Sequence, residues 1–128
     1  MARILVADDE AHIRRVLEAR LQMDGHEVIL TADGREAWER FQEVQPDLVI
    51  LDVNMPEMTG LEVASLIRGH PDERLSRVPI LVLTARGQES DEEAGYKAGA
   101  DLFLTKPFSP RELSQLVQEL LNWRSRQT

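Results

Sequence analysis

Five short apolar runs recur along the chain: Ile4-Leu5-Val6-Ala7, Val28-Ile29-Leu30, Leu48-Val49-Ile50-Leu51, Ile80-Leu81-Val82-Leu83 and Leu102-Phe103-Leu104. None alternates with polar residues. Continuous β-branched runs belong to strands covered on both faces, as in parallel sheets. Between the runs lie segments of helical period. Residues 10–24 carry Ile13, Val16, Leu17 and Leu21, and residues 34–45 carry Ala37, Trp38, Phe41 and Val44. Residues 58–69 carry Leu61, Ala64 and Ile67, and residues 109–122 carry Leu113, Leu116, Val117, Leu120 and Leu121. The segment 88–98 is weaker, with Ala94 and Ala98 flanking Gly95 and with Gly99 directly after, so its helix is expected from its place in the alternation. Helix boundaries follow from Asp33, from Ser109-Pro110-Arg111-Glu112, and from Gly25 and Gly69 at the stops.

The order is thus (βα)₅. Such alternation predicts an α/β fold with a parallel sheet, helices on both faces and right-handed crossovers. Five units are too few for an eight-fold barrel, so the sheet is expected to be open and doubly wound, with its ligand site beyond the carboxyl ends of the strands. The chain of 128 residues suits one domain. Residues 1–122 form that expected domain, and 123–128 a polar tail with the look of a linker's start. The longest connection, His70 to Arg77, is expected on the surface.

Composition removes several function classes. With no cysteine there is no disulfide framework, cysteine zinc site or thiol nucleophile. A net charge of -8 opposes an electrostatic grip on nucleic acid or an anionic membrane. No segment approaches the roughly 18 apolar residues of a membrane span, and the acids Asp8, Asp9 and Glu10 come too early for a signal peptide. A soluble, cytoplasmic protein is the expectation.

Polar residues at the run ends are more informative. Asp8 and Asp9 follow the first run, Asp52 the third, Thr84 the fourth, and Lys106-Pro107 the fifth. Parallel strands bring all of these to one rim. Singly, each acid or hydroxyl is explained as a helix cap, and the lysine as a surface residue before a turn. Together, three crowded acids repel unless a cation intervenes. Oxygen-only ligands suit Mg²⁺, and the lack of nearby Cys or His argues against zinc. A carboxylate-held metal beside Lys and Thr fits phosphoryl transfer, with Asp52 as candidate nucleophile. Neither GxxxxGK[ST] nor GxGxxG occurs, so no glycine nest cradles a phosphate.

Val6-Ala7-Asp8-Asp9-Glu10, Leu51-Asp52-Val53-Asn54-Met55-Pro56-Glu57-Met58-Thr59-Gly60, Leu83-Thr84-Ala85 and Lys106-Pro107-Phe108 stand in order at the ends of the right strands. Over residues 3 to 122 the chain resembles the CheY-like receiver domains of two-component response regulators. The resemblance implies a flavodoxin-like sheet of order 2-1-3-4-5 flanked by five helices. It also implies that Asp52 accepts phosphate from the phosphohistidine of a sensor histidine kinase or a phosphotransfer protein. By the same analogy Mg²⁺ is bound by Asp9, Asp52 and the Asn54 backbone carbonyl, while Asp8 holds metal-bound water or binds Lys106. Lys106, preceding a cis Pro107, pairs with a phosphoryl oxygen; Thr84 turns inward to the phosphoryl group, and Phe103 is the switch aromatic. Asn54 and Arg86 stand where the family tunes phosphoryl lifetime. Pro56 stiffens the loop after Asp52, and Gly60 is expected to permit positive φ at the entry to the third helix.

The implied output face is the fourth helix, fifth strand and fifth helix, docking a downstream protein or a second copy. No nucleic-acid-binding pattern follows, so the expectation is a stand-alone receiver or one excised from a longer regulator. Two rivals remain: a Mg²⁺-dependent aspartyl phosphatase, disfavoured by Asn54 where such enzymes place an acid, and a pseudo-receiver that never takes phosphate. His12, His26 and His70 form no cluster and are expected in surface or packing roles, with His26 opening a strand. Trp38 is expected in the core and Trp123 exposed.

Overall fold

The computed structural model describes residues 2–85 and 89–127. The strands are β1 (Arg3–Ala7), β2 (Glu27–Thr31), β3 (Leu48–Asp52), β4 (Ile80–Ala85) and β5 (Leu102–Lys106). The helices are α1 (Ala11–Met23), α2 (Gly34–Val44), α3 (Gly60–Arg68), the short α4 (Glu73–Ser76), α5 (Glu89–Ala98) and α6 (Pro110–Gln127). All strand pairs are parallel, in the order β2-β1-β3-β4-β5. The expected doubly wound sheet is therefore present, with one helix more than expected.

The continuous apolar runs have a direct physical origin. Successive residues of a strand point to opposite faces, and here both faces are covered. Leu5, Val49, Leu51, Ile80 and Val82 pack with Ala37, Phe41, Val63 and Ile67 of α2 and α3. Ile4, Val6, Ile50, Leu81 and Leu83 pack with Leu17, Leu21, Leu113, Val117 and Leu120 of α1 and α6. Full burial of each such side chain is worth about 1.5–3 kcal/mol, so neither face tolerates a register slip.

Local signals act where the sequence puts them. Asp33 accepts from Glu36 N at 2.8 Å to cap α2. Thr59 with Glu62, and Ser109 with Glu112, form reciprocal capping boxes at the starts of α3 and α6. Helix α6 runs past its apolar stripe, through the residues expected as a tail, to Gln127.

Other expectations need correction. The stretch from His70 to Arg77 is not simply a surface connection: it holds α4, and Leu75 is buried because it packs into the α2–α3 side of the core. His26 precedes β2 rather than opening it, its Nδ1 accepting from Ala2 N at 3.2 Å. Val16, at the margin of the α1 stripe, is 40% exposed, since α1 buries only Leu17 and Leu21 fully. Trp38 lies half-buried at the core margin, stacked on Phe41 with ring centroids 5.8 Å apart.

One polar knot joins the amino ends of β4 and β5. The Arg68 guanidinium donates to the carbonyls of Gly99, Ser76 and Val78 at 2.9, 2.8 and 2.7 Å, and to Asp101 Oδ2 at 2.9 Å. That same carboxylate oxygen accepts from Ile80 N at 2.8 Å. Gly99 has φ +109°, and a Cβ there would lie 2.4 Å from Arg68 Cγ. The close approach, as well as the turn, requires glycine.

Candidate functional site

At the opposite, carboxyl rim, strand β1 delivers Asp8, β3 ends on Asp52, β4 carries Thr84 and β5 ends on Lys106. The in-register partners Asp52↔Leu83 and Thr84↔Thr105 set their relative heights. Asp8 is fully buried, and Asp52 and Thr84 are 7% and 2% exposed.

Lys106 Nζ lies 2.9 Å from Asp8 Oδ2, 3.0 Å from Glu10 Oε1 and 3.5 Å from Asp52 Oδ1. Asp8 Oδ1 accepts from Glu10 N at 2.9 Å. The Asp8 carbonyl accepts from Arg14 Nη1 at 2.7 Å, so α1 is fastened to the rim. Glu10 stands at the N-cap of α1 without capping it, which leaves its carboxylate for the lysine. Carboxylate oxygens of Asp8, Asp9, Glu10 and Asp52 all lie within 4.8 Å of one another.

The electrostatics follow from this crowding. Burial, then the charges of Asp8 and Asp9, push the Asp52 carboxyl up to about 7, against the opposing pull of Lys106. Burial disfavours the charged form of Lys106, but Asp8, Glu10 and Asp52 outweigh it and hold its pKa above the ordinary lysine value. The hydrogen bond from Lys106 is the main reason Glu10 titrates below the usual carboxylate range. One ammonium thus faces three carboxylates of a cluster of four, a donor set suited to a hard divalent cation. Thr84 Oγ1 is buried with no hydrogen-bond partner. A polar atom so placed has unspent hydrogen-bonding capacity.

The structure brings Asp8, Asp9, Asp52, Thr84 and Lys106 to one rim, with Asn54 exposed on the loop after β3. The Lys106–Pro107 peptide is cis. Phe103 is half-buried, edge-on to Tyr96 with centroids 4.6 Å apart. Arg86 lies outside the described residues. In the loop after Asp52, Pro56 O accepts from Met58 N at 2.7 Å and from Gly34 N at 3.4 Å. Gly60 does not use positive φ; Glu57, at +71°, takes that role. Glycine is required at 60 because a Cβ there would fall 2.1 Å from the Asp52 carbonyl oxygen. Glu10 was missed as a site residue although it directly follows the paired aspartates. Its adjacency to them was the available signal.

Fold and rim together define a doubly wound α/β protein whose carboxyl edge gathers a cluster of carboxylates, a lysine and a threonine hydroxyl without a hydrogen-bond partner. The family model described as "Response regulator receiver domain" matches residues 4–118. The chain belongs to this family, the receiver domain of two-component response regulators, and is a signalling protein rather than a classical enzyme. It is 47% identical over 119 residues to the probable transcriptional regulator ycf27 of Cyanophora paradoxa, an alignment covering 93% of this chain and 48% of that protein. The chain therefore spans about half the length of the curated relatives it matches. Among solved structures it resembles a putative response regulator from Chloroflexus aurantiacus J-10-fl (TM-score 0.89, 38% identity, 94% of this chain and 98% of that one). It also resembles the receiver domain of the sensor histidine kinase PA1611 from Pseudomonas aeruginosa PAO1 (TM-score 0.86, 32% identity, 94% and 98% coverage). That structure has a magnesium ion coordinated in its active site cleft. Among the described residues, no helix of this chain is long and apolar enough to cross a membrane.

Proposed function

We propose that Asp52 is the phosphoacceptor of a signalling switch, loaded by a sensor histidine kinase or a phosphotransfer protein. The observation that carries this reading is the convergence of a nearly buried acceptor carboxylate, a tethered lysine and an unpartnered threonine hydroxyl at one rim. In the transfer, an Asp52 oxygen attacks phosphorus, a P–O bond forms, the P–N bond to the donor imidazole breaks, and that nitrogen takes the electron pair.

The donor set fits Mg²⁺ held by Asp9, Asp52 and the Asn54 carbonyl, with Asp8 acting through water. When bound, the ion supplies positive charge to the transferring oxygens. Lys106 supplies a second cation, already drawn to the rim by Asp8 and Glu10. Rotation of Thr84 would give its hydroxyl a phosphoryl oxygen to bond, and space vacated there would admit Phe103 from its seat against Tyr96. Asn54 and Arg86 are proposed to set phosphoryl lifetime. Pro56, Gly60 and Pro107 fix the loops around the site. The face made by α5, β5 and α6 would then engage a downstream protein or a second copy in the cytoplasm, with no direct hold on nucleic acid or membrane. Residues 1–122 are the proposed receiver domain.

Intact mass after incubation with acetyl phosphate and Mg²⁺ tests the proposal. One phosphate is expected on the wild type and none on Asp52→Asn. An unlabelled wild type would instead mark a module that never takes phosphate.

A further inference from the structure

The amino ends of β4 and β5, at the pole opposite Asp52, carry a cavity of about 660 Å³. Its wall comes from α3, α4, the approach to β5, and the last turns of α6. In a chain of net charge -8 this wall is cationic: its lining holds Arg68, Arg74, Arg77 and Arg124 against the acids Glu73 and Asp101.

The four arginines are not equally committed. Arg68 spends its donors on three carbonyls and Asp101. Arg77 pairs with Glu73, and Arg74 donates to Gln45 Oε1 at 3.0 Å. Among the described residues Arg124 donates to the Arg74 carbonyl alone, at 3.4 Å through Nη2, while its Nη1 is buried with no partner. Burial disfavours the charge on this guanidinium and holds its pKa below the ordinary arginine value, with Asp47 attracting it and Arg74 repelling it. Leaving a buried charged donor unmade costs more than the roughly 1–3 kcal/mol of a neutral one, and rotation of the Arg124 side chain towards an oxyanion in the cavity would remove that cost. Guanidinium is also the side chain best matched to phosphate geometry.

Beside Arg124, Trp123 lines the same cavity and is 43% exposed. An exposed indole next to guanidinium groups suits stacking of a flat ring. The volume lies within the roughly 300–1,000 Å³ of small-molecule sites.

We infer that this cavity binds a small phosphate ester bearing a planar ring, of the nucleoside monophosphate class. Arg124, supported by Arg77, takes the phosphate, and Trp123 takes the ring. The site is separate from the acidic rim and independent of what loads Asp52.

Adenosine monophosphate is titrated into the full 128-residue chain in buffer containing EDTA, followed by calorimetry and tryptophan fluorescence. Without a divalent cation the acidic rim repels anions, so any binding reports the distal cavity. We expect a Kd below about 1 mM, weakened about tenfold by Arg124→Gln. Arg77→Gln, at a side chain 70% exposed and free of any core role, should weaken binding in the same direction. Trp123→Ala should abolish any preference for the monophosphate over inorganic phosphate. A Kd above about 1 mM, or no binding at all, overturns the inference. So does wild-type affinity in a folded Arg124→Gln and in Arg77→Gln, or equal affinity of the wild type for inorganic phosphate.

Discussion

Replacing Asp52 with asparagine should make the metal-free protein more stable at neutral and alkaline pH, although it removes the acceptor. The carboxyl is pushed from 3.8 to about 7 by burial and by Asp8 and Asp9. A raised carboxyl pKa means the folded state binds a proton that the unfolded state has released. Stability contributed by the protonated group is complete below about pH 4 and is lost as pH rises towards 7. At about 1.4 kcal/mol per pH unit, that span corresponds to at most about 4 kcal/mol above pH 7. Coupling to Lys106 and partial hydration reduce the expected gain to about 2 kcal/mol. The substitution leaves Lys106 its contacts with Asp8 and Glu10, so the lysine is not orphaned. Urea denaturation in EDTA at several pH values between about 5.5 and 8.5 measures the effect. The variant's advantage should widen with pH and level off above 7. Adding Mg²⁺ should stabilise the wild type and shrink the gap, because a cation bound only to the folded state adds to its stability by mass action. A variant no more stable than wild type at pH 8, or an advantage indifferent to pH, would refute the reasoning.

Three further outcomes follow. Thr84→Val should raise the unphosphorylated protein's stability by about 1 kcal/mol, because it replaces a buried hydroxyl that has no partner; a lower urea midpoint would contradict this. Gly60→Ala should cost at least about 2 kcal/mol and impair labelling of Asp52, since its methyl would meet the Asp52 carbonyl; thermal melts and intact mass give the two readings. Arg68→Ala should cost about 3–5 kcal/mol by stranding Asp101 and three carbonyls, seen as a reduced chemical-denaturation midpoint.

The sheet was legible because its two covered faces leave a uniform trace: Leu48 through Leu51 are all apolar because alternate members enter different cores. The rim was legible because Asp8, Asp52, Thr84 and Lys106 each close or follow a run. Features built by folding across distant segments left weaker traces. Helix α4 spans a single turn, too short for periodicity, and only the burial of Leu75 distinguishes its segment from a surface loop. The role of Glu10 depends on reach from a cap position to a lysine ninety-six residues away. The need for glycine at 60 arises from a carbonyl eight positions earlier, so local turn chemistry suggested positive φ where close approach is the constraint.

Phe103 rests where a Cβ on Gly95 would be, 2.6 Å from two of its ring atoms. The glycine that makes room for the ring also weakens the helix that carries it, because glycine costs roughly 1 kcal/mol of helical preference against alanine. Seat and softness therefore come from one residue. An alanine at 95 would strengthen α5 locally and evict the ring together, so the resting pose of Phe103 and the pliancy of the helix beside it cannot be selected independently.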